Sequence, residues 1–178
     1  EYIEVKDVNI NVTSAAGDAI NCSQYLLIKS GTINISGVED DGIQCDIDDT
    51  EVGSTGQTTD HEDEDSGNIY LEGGAIRINI AGKAAKGIKS EGDMIISGGT
   101  INVSTTGHGK WDDEDLKTKA AACLSSDAKV VISGGTLTLT STGAGGKGIN
   151  CDTEFELSGG DVTVVTTGGL YYNNGTTE

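Results

Sequence analysis

Proline is absent from all 178 residues. In a chain whose strands pair on both edges, a proline would remove a ladder hydrogen bond almost anywhere, so its absence fits short strands joined by tight turns. Helix is hardly favoured either, because Thr, Ser, Val, Ile, Asn and Gly dominate. No apolar run approaches the roughly 20 residues needed to span a bilayer, which argues against membrane insertion. Cations are few: 11 Lys and Arg stand against 29 Asp and Glu, the formal charge is -18, and Arg77 is the only arginine. Phosphate binding needs clustered Lys and Arg, so nucleic acid and anionic membrane surfaces are poor partners. A divalent cation is the natural counter-ion for such a surface. No Cys-x-x-Cys pair supports a zinc site.

What the chain has is a recurring phrase. Gly98-Gly99-Thr100-Ile101-Asn102-Val103 returns as Gly134-Gly135-Thr136-Leu137-Thr138-Leu139, as Gly159-Gly160-Asp161-Val162-Thr163-Val164 and as Gly31-Thr32-Ile33-Asn34-Ile35. Residues 8–32, 76–100 and 137–161 make three units of 25 residues. A fixed period of this size marks a repeat protein built from coils that cannot bury their apolar faces alone.

Alternation with period two gives three short strands per coil and assigns the inward side chains. Strand one contributes the columns Val8, Ile33, Ile76, Ile101, Leu137, Val162 and Ile10, Ile35, Ile78, Val103, Leu139, Val164. Strand two contributes Ile20, Ile43, Ile88, Leu124 and Ile149. Strand three contributes Leu26, Ile69, Met94, Val130, Phe155 and Ile28, Leu71, Ile96, Ile132, Leu157. Every column stays apolar, which predicts an all-β, single-stranded, right-handed parallel β-helix of about five full coils, roughly 25–30 Å long. An antiparallel sandwich would not place like residues in like slots. The whole chain, 1–178, reads as one such domain, with insertions at about 46–67 and 104–120; insertions of this kind map to loops that carry function or simply solvate.

Cys22, Cys45 and Cys151 share one strand-two column with Ser90 and Ser126, and Cys123 falls one column away. The inner wall there needs a small side chain, so free buried thiols are expected. Neighbouring parallel strands suit disulfide geometry poorly, although Cys22 and Cys45 are close enough to consider.

The turn into strand two reads Asp18, Asp41, Lys86, Ala122, Lys147 down the coils, preceded by Glu39 and Asp40. Outward on strand two stand Asn21, Gln44, Lys89, Ser125 and Asn150. Carboxylates from coils roughly 4.8 Å apart can share one hard cation, which takes six to eight oxygens at about 2.3–2.6 Å. Asp18, Asp40, Asp41, Gln44 and Glu39 are therefore candidate calcium ligands; the alternative is a solvated acidic turn relieved by Lys86. A second acidic loop, Asp60, Glu62, Asp63, Glu64 and Asp65, half-matches a helix–loop–helix calcium loop but meets Gly73 where a bidentate Glu belongs. Outward on strand three, Tyr2, Leu27, Tyr70, Ile95 and Val131 form an apolar stripe. The stripe is either covered by an insertion, with Trp111 as a plug, or is a platform for sugar rings or for a second copy of the chain.

The phrases Asp40-Asp41-Gly42-Ile43-Gln44-Cys45, Lys86-Gly87-Ile88-Lys89-Ser90 and Ile96-Ser97-Gly98-Gly99-Thr100 resemble a family of secreted bacterial carbohydrate-binding domains. The resemblance covers most of the chain. It implies a right-handed parallel β-helix that binds calcium and plant polysaccharides such as cellulose and polygalacturonate, outside the cell or at its surface, with any leader or lipid anchor removed. The corner is also similar to that of family 9 polysaccharide lyases, which implies Asp18, Asp40 and Asp41 as calcium ligands and Lys86 or Lys89 as a base. Gln44 stands where that pattern has a further acid, and no arginine accompanies the site. Three functions follow as expectations. The first is non-catalytic, calcium-dependent polysaccharide binding, with Asn21, Lys86, Lys89, Trp111 and Tyr70 touching the glycan. The second is a calcium-dependent lyase, and the third a structural surface module.

Overall fold

The computed structural model describes residues 2–47 and 66–171. Among these residues all regular structure is β, and no helix is present. Three parallel sheets take up all but two of the strands. The strand-one sheet runs β2 (Asn9–Val12), β5 (Thr32–Ser36), β8 (Ala75–Ile80), β11 (Thr100–Thr105), β16 (Thr136–Ser141), β19 (Asp161–Thr166). The strand-two sheet runs β3 (Ile20–Cys22), β6 (Ile43–Cys45), β9 (Lys86–Ser90), β14 (Ala122–Ser126), β17 (Lys147–Cys151). The strand-three sheet runs β1 (Ile3–Val5), β4 (Tyr25–Ile28), β7 (Asn68–Leu71), β10 (Met94–Ile96), β15 (Val130–Ile132), β18 (Phe155–Leu157). The chain visits the three sheets in rotation, and each strand pairs with its equivalent one turn on, an arrangement consistent with a solenoid.

The register reproduces the expected columns over most of the chain. Ile33, Ile76, Ile101 and Leu137 are successive Cα partners, as are Ile20, Ile43, Ile88, Leu124 and Ile149. Leu26, Ile69, Met94 and Val130 follow the same rule and are fully buried. These side chains form one continuous core. A third inward position per coil extends it: Ile80, Thr105 and Ser141 are buried, and the Thr105 hydroxyl donates to Ser141 at 3.0 Å.

The first coil departs from the expected register. Ile10, not Val8, pairs with Ile33, and Val12 pairs with Ile35. Val8 is 46% exposed and its carbonyl accepts the Thr32 N–H, so it occupies the turn slot that Gly31 takes one coil on. No glycine phrase marks that turn, so nothing in the sequence anchors the alignment there. At the far end Phe155 and Leu157 keep their column positions but are 47% and 52% exposed, because no further described coil covers them.

The double-glycine phrase has a steric cause at each of its positions. A Cβ on Gly98, Gly134 or Gly159 would collide with the carbonyl oxygen of Glu72, Ser97 or Ser133 in the preceding coil. The second glycine sits at positive φ: 89° at Gly99 and Gly135, 84° at Gly160, a region that side chains with a Cβ avoid.

All four cysteines are free, with Cys22, Cys45 and Cys123 buried and Cys151 half-buried. Cys22 and Cys45 are register neighbours, and the Cys22 thiol donates to the carbonyls of Tyr25 and Gln44. The apolar stripe outside strand three is not open along its length. Glu4, not Tyr2, is the register partner of Leu27, because Tyr2 stands two residues earlier and stacks on the buried Tyr25 with ring centroids 4.9 Å apart. Leu27 is 1% exposed, and Tyr70, Ile95 and Val131 are half-buried. Trp111 is not its plug: it lies in a hairpin of the insertion, paired with Thr118, and the second strand of that hairpin borders the strand-two sheet and not the strand-three stripe. The second acidic loop, Asp60, Glu62, Asp63, Glu64 and Asp65, falls outside the described residues.

Candidate functional site

The site lies at the turn into strand two. Strand pairing of Ile20 with Ile43 sets Asp18 one coil from Asp41, and their backbones are joined by the Ala19 N–H donating to the Asp41 carbonyl at 3.2 Å. The side chains continue the link. Asp18 Oδ1 accepts the Asp41 N–H at 3.0 Å, and Asp41 Oδ1 accepts the Lys86 N–H at 2.6 Å. Each carboxylate thus satisfies a backbone donor of the next coil. The corner between strands two and three is built alike: Asn68 Oδ1 accepts the Asp93 N–H, and Asp93 Oδ1 accepts the Lys129 N–H. Capping is therefore a structural duty of such side chains.

What distinguishes the first corner is a third acid. Asp18, Asp40 and Asp41 each offer a carboxylate oxygen, and the three oxygens lie within 4.8 Å of one another. That separation is about twice a calcium–oxygen distance of roughly 2.4 Å, so one hard cation can touch all three. Three carboxylates would more than offset the charge of a divalent ion and leave further coordination positions to be filled by other oxygens.

The electrostatics agree with a site under tension. Asp41 is 4% exposed, and its pKa is raised to about 6, first by burial and then by the Asp40 charge, against the pull of the Lys86 N–H and ammonium. Lys86 is half-buried, and burial lowers its pKa.

The expected ligands do not all converge. Glu39 is exposed and stands outside the cluster. The Gln44 amide is turned to Asp46, donating at 2.7 and 2.9 Å. Asn21 donates to both Asp18 Oδ2 and Asp46 Oδ2 at 3.2 Å. Asp46 is thus a site residue that sequence reading missed, although it stands two residues after Gln44 and alternation puts it on the same face.

Of the expected glycan contacts, Asn21 and Lys89 share one strand-two column with Gln44, Ser125 and Asn150, and Lys86 stands three residues earlier, in register with Ala122 and Lys147. Tyr70 is on the strand-three sheet, a different face, and its hydroxyl accepts from Asn68 at 2.9 Å. Trp111 belongs to the insertion between β11 and β14. That insertion forms an antiparallel hairpin of β12 (Lys110–Asp112) and β13 (Lys117–Lys119), with Trp111 paired to Thr118 and its indole N–H donating to Asp113 at 2.8 Å. The acidic run of the insertion makes the hairpin turn: Asp112 Oδ1 accepts the N–H groups of Glu114 and Asp115. Lys119 pairs with Asp112 at 2.6 Å, which holds the Asp112 carboxyl down at about 2.

No helix among the described residues is long and apolar enough to cross a membrane. No curated protein and no solved structure matches the chain. One family model does, over residues 1–170. The coil repeat, the polar strand-two face and that match agree: the chain belongs to the family of carbohydrate-binding domain-containing proteins.

Proposed function

We propose that this chain is a non-catalytic domain that binds polysaccharide through calcium, is wound as a right-handed parallel β-helix, and works outside the cell or at its surface. The observation that carries the reading is the convergence of Asp18, Asp40 and Asp41 from two coils beside the polar strand-two face. In this reading the three acids hold the ion, and oxygens of the glycan complete its shell. Plant cell-wall polysaccharide is the proposed ligand class. Polygalacturonate is favoured over cellulose because a carboxylate is the stronger calcium ligand. A chain with a charge of -18 repels a polyanion, and a bridging cation removes that penalty. Affinity for polygalacturonate, measured by titration calorimetry, is expected to fall at least tenfold in chelator; unchanged affinity would overturn the calcium dependence.

A second reading, a calcium-dependent lyase, is favoured by one observation. Lys86 lies beside the acid cluster with its pKa lowered by burial, as a general base requires. Such an enzyme would release unsaturated products that absorb in the ultraviolet, and Lys86→Ala would stop their release. Silence over prolonged incubation retires this reading.

A further inference from the structure

The insertion hairpin and the strand-two sheet enclose a groove of about 520 Å³. Its floor is the outer face of β9, β14 and β17; its wall is β13. Lys86, Lys89, Lys117, Lys119 and Lys147 all line it, with three aspartates, Asp115, Asp127 and Asp152, among them. In a chain with 11 cationic side chains and a charge of -18, five lysines in one groove make a local reversal of sign. The rest of the lining is hydroxyl, amide and methyl, from residues such as Ser125, Thr118 and Asn150, with no aromatic ring. A groove of this kind does not recognise neutral sugars by stacking on their apolar faces. It recognises charge, by ammonium groups focused between low walls.

The lysines are placed to exchange partners. Lys89 makes no hydrogen bond or ion pair among the described residues. Lys147 reaches only the Asn150 amide oxygen, at 2.7 Å. Lys117 holds Asp115 at 3.4 Å in an exposed pair, worth little against a competing anion, whereas Lys119 is shared between Asp115 at 3.4 Å and Asp112 at 2.6 Å and is the least free of the five. The base of the insertion is tied to the neighbouring coils: the Gly109 N–H donates to the Ala144 carbonyl, and the Ala84 N–H to the His108 carbonyl.

We infer that this groove is an anionic-saccharide subsite, in which the lysines pair directly with the carboxylates or sulfate esters of an acidic glycan without a metal. The inference rests on the polysaccharide-binding reading above and deepens it. The acid cluster of coils one and two and the lysine groove of coils three to five occupy one face, so a single acidic chain lying across the coils meets an ion at one end and ammonium groups at the other.

Titration calorimetry on the full chain with saturating calcium tests it, using oligogalacturonate, dextran sulfate and fully methyl-esterified oligogalacturonate as probes. Lys89→Gln/Lys147→Gln is expected to lose at least tenfold in affinity for the charged probe that binds, and the loss should shrink in high salt. Lys6→Gln, a charge removed far from the groove, should leave affinity unchanged, and matching thermal melts exclude misfolding. Preference for oligogalacturonate identifies a uronate subsite; preference for dextran sulfate identifies a sulfate ester subsite. Equal binding of the neutral probe, or no effect of the lysine pair, overturns the inference while leaving the calcium reading to its own chelator test. Absence of binding to all three probes overturns both.

Discussion

Asp41 is nearly closed off from water, and that burial lifts its carboxyl to about 6. Unfolded, the same group titrates near 3.9, so between these values the folded chain holds a proton that the unfolded chain has released. In chelator, stability from this group is therefore greatest at low pH and is lost as pH rises through about 6, by an amount on the order of 3 kcal/mol. Asp41→Asn keeps an oxygen for the Lys86 N–H and removes the buried charge. Urea melts in chelator between pH 4 and 7 should show the pH slope flattened in that variant and its stability at pH 7 raised. Calcium should then stabilise the native chain at pH 7 but not the variant. An unchanged slope would show that the cost of burial falls elsewhere. The thiols make a second residue-scale prediction. Burial pushes Cys123 up to about 11, and the adjacent Cys22 thiol, followed by burial, raises Cys45, so both are poor nucleophiles. Half-buried Cys151 should be alkylated first in the native chain, as mass spectrometry of digests would show; equal rates for all four would refute the buried column.

Single strands here have three to six residues and none could stand alone. Their spacing is set by turns whose glycines touch the coil before. Gly134→Ala would drive a methyl group into the Ser97 carbonyl, so a loss of about 1–3 kcal/mol in urea melts is expected. Thr138→Ala, on the exposed outer face of the next strand, should cost far less; equal losses would mean that the turn yields freely. Within the strand-two column, Ser90 has a buried hydroxyl with no partner among the described residues, between Cys45 and Ser126. Ser90→Ala should therefore stabilise the chain by about 1 kcal/mol, the desolvation cost returned; a loss would show that the hydroxyl is paired in solution. These turns were legible because a glycine that cannot carry a Cβ must recur wherever coils touch. Gly82, Gly107, Gly143 and Gly168 form a second such ladder, each set against the corner one coil earlier, by the carbonyls of Glu39, Gly82, Gly107 and Gly143. Their irregular sequence spacing, stretched by the insertion, hid them.

Across the whole molecule the strand-two face changes sign, from Asp18, Asp40, Asp41 and Asp46 at one end to the lysine groove at the other. Binding of an acidic glycan should accordingly depend on both calcium and salt. A ligand that binds only the folded state at a hundred times its Kd adds about 2.7 kcal/mol, so calcium alone should raise the melting temperature of the full chain. No shift at millimolar calcium would count against an ion at the acid cluster. The columns, the neighbour relation of Asp18 and Asp41, and the outward row from Asn21 to Asn150 followed from the amino-acid order alone. A repeat lays its equivalent positions over one another, and side-chain alternation leaves only one face for each. The slip at Val8 shows the limit, because where no glycine marks the turn the period has no anchor. Which acids converge was decided in three dimensions: Glu39 stays exposed outside the cluster, and the Gln44 amide, which alternation sets on one face with Asp46, bonds to that carboxylate instead of joining the acids. The lysine groove was likewise invisible, since Lys117 and Lys119 lie in an insertion that follows no period. Their place over Lys89 and Lys147 comes from a hairpin folding back and bonding to coils distant in sequence, a matter of tertiary contact rather than of order along the chain.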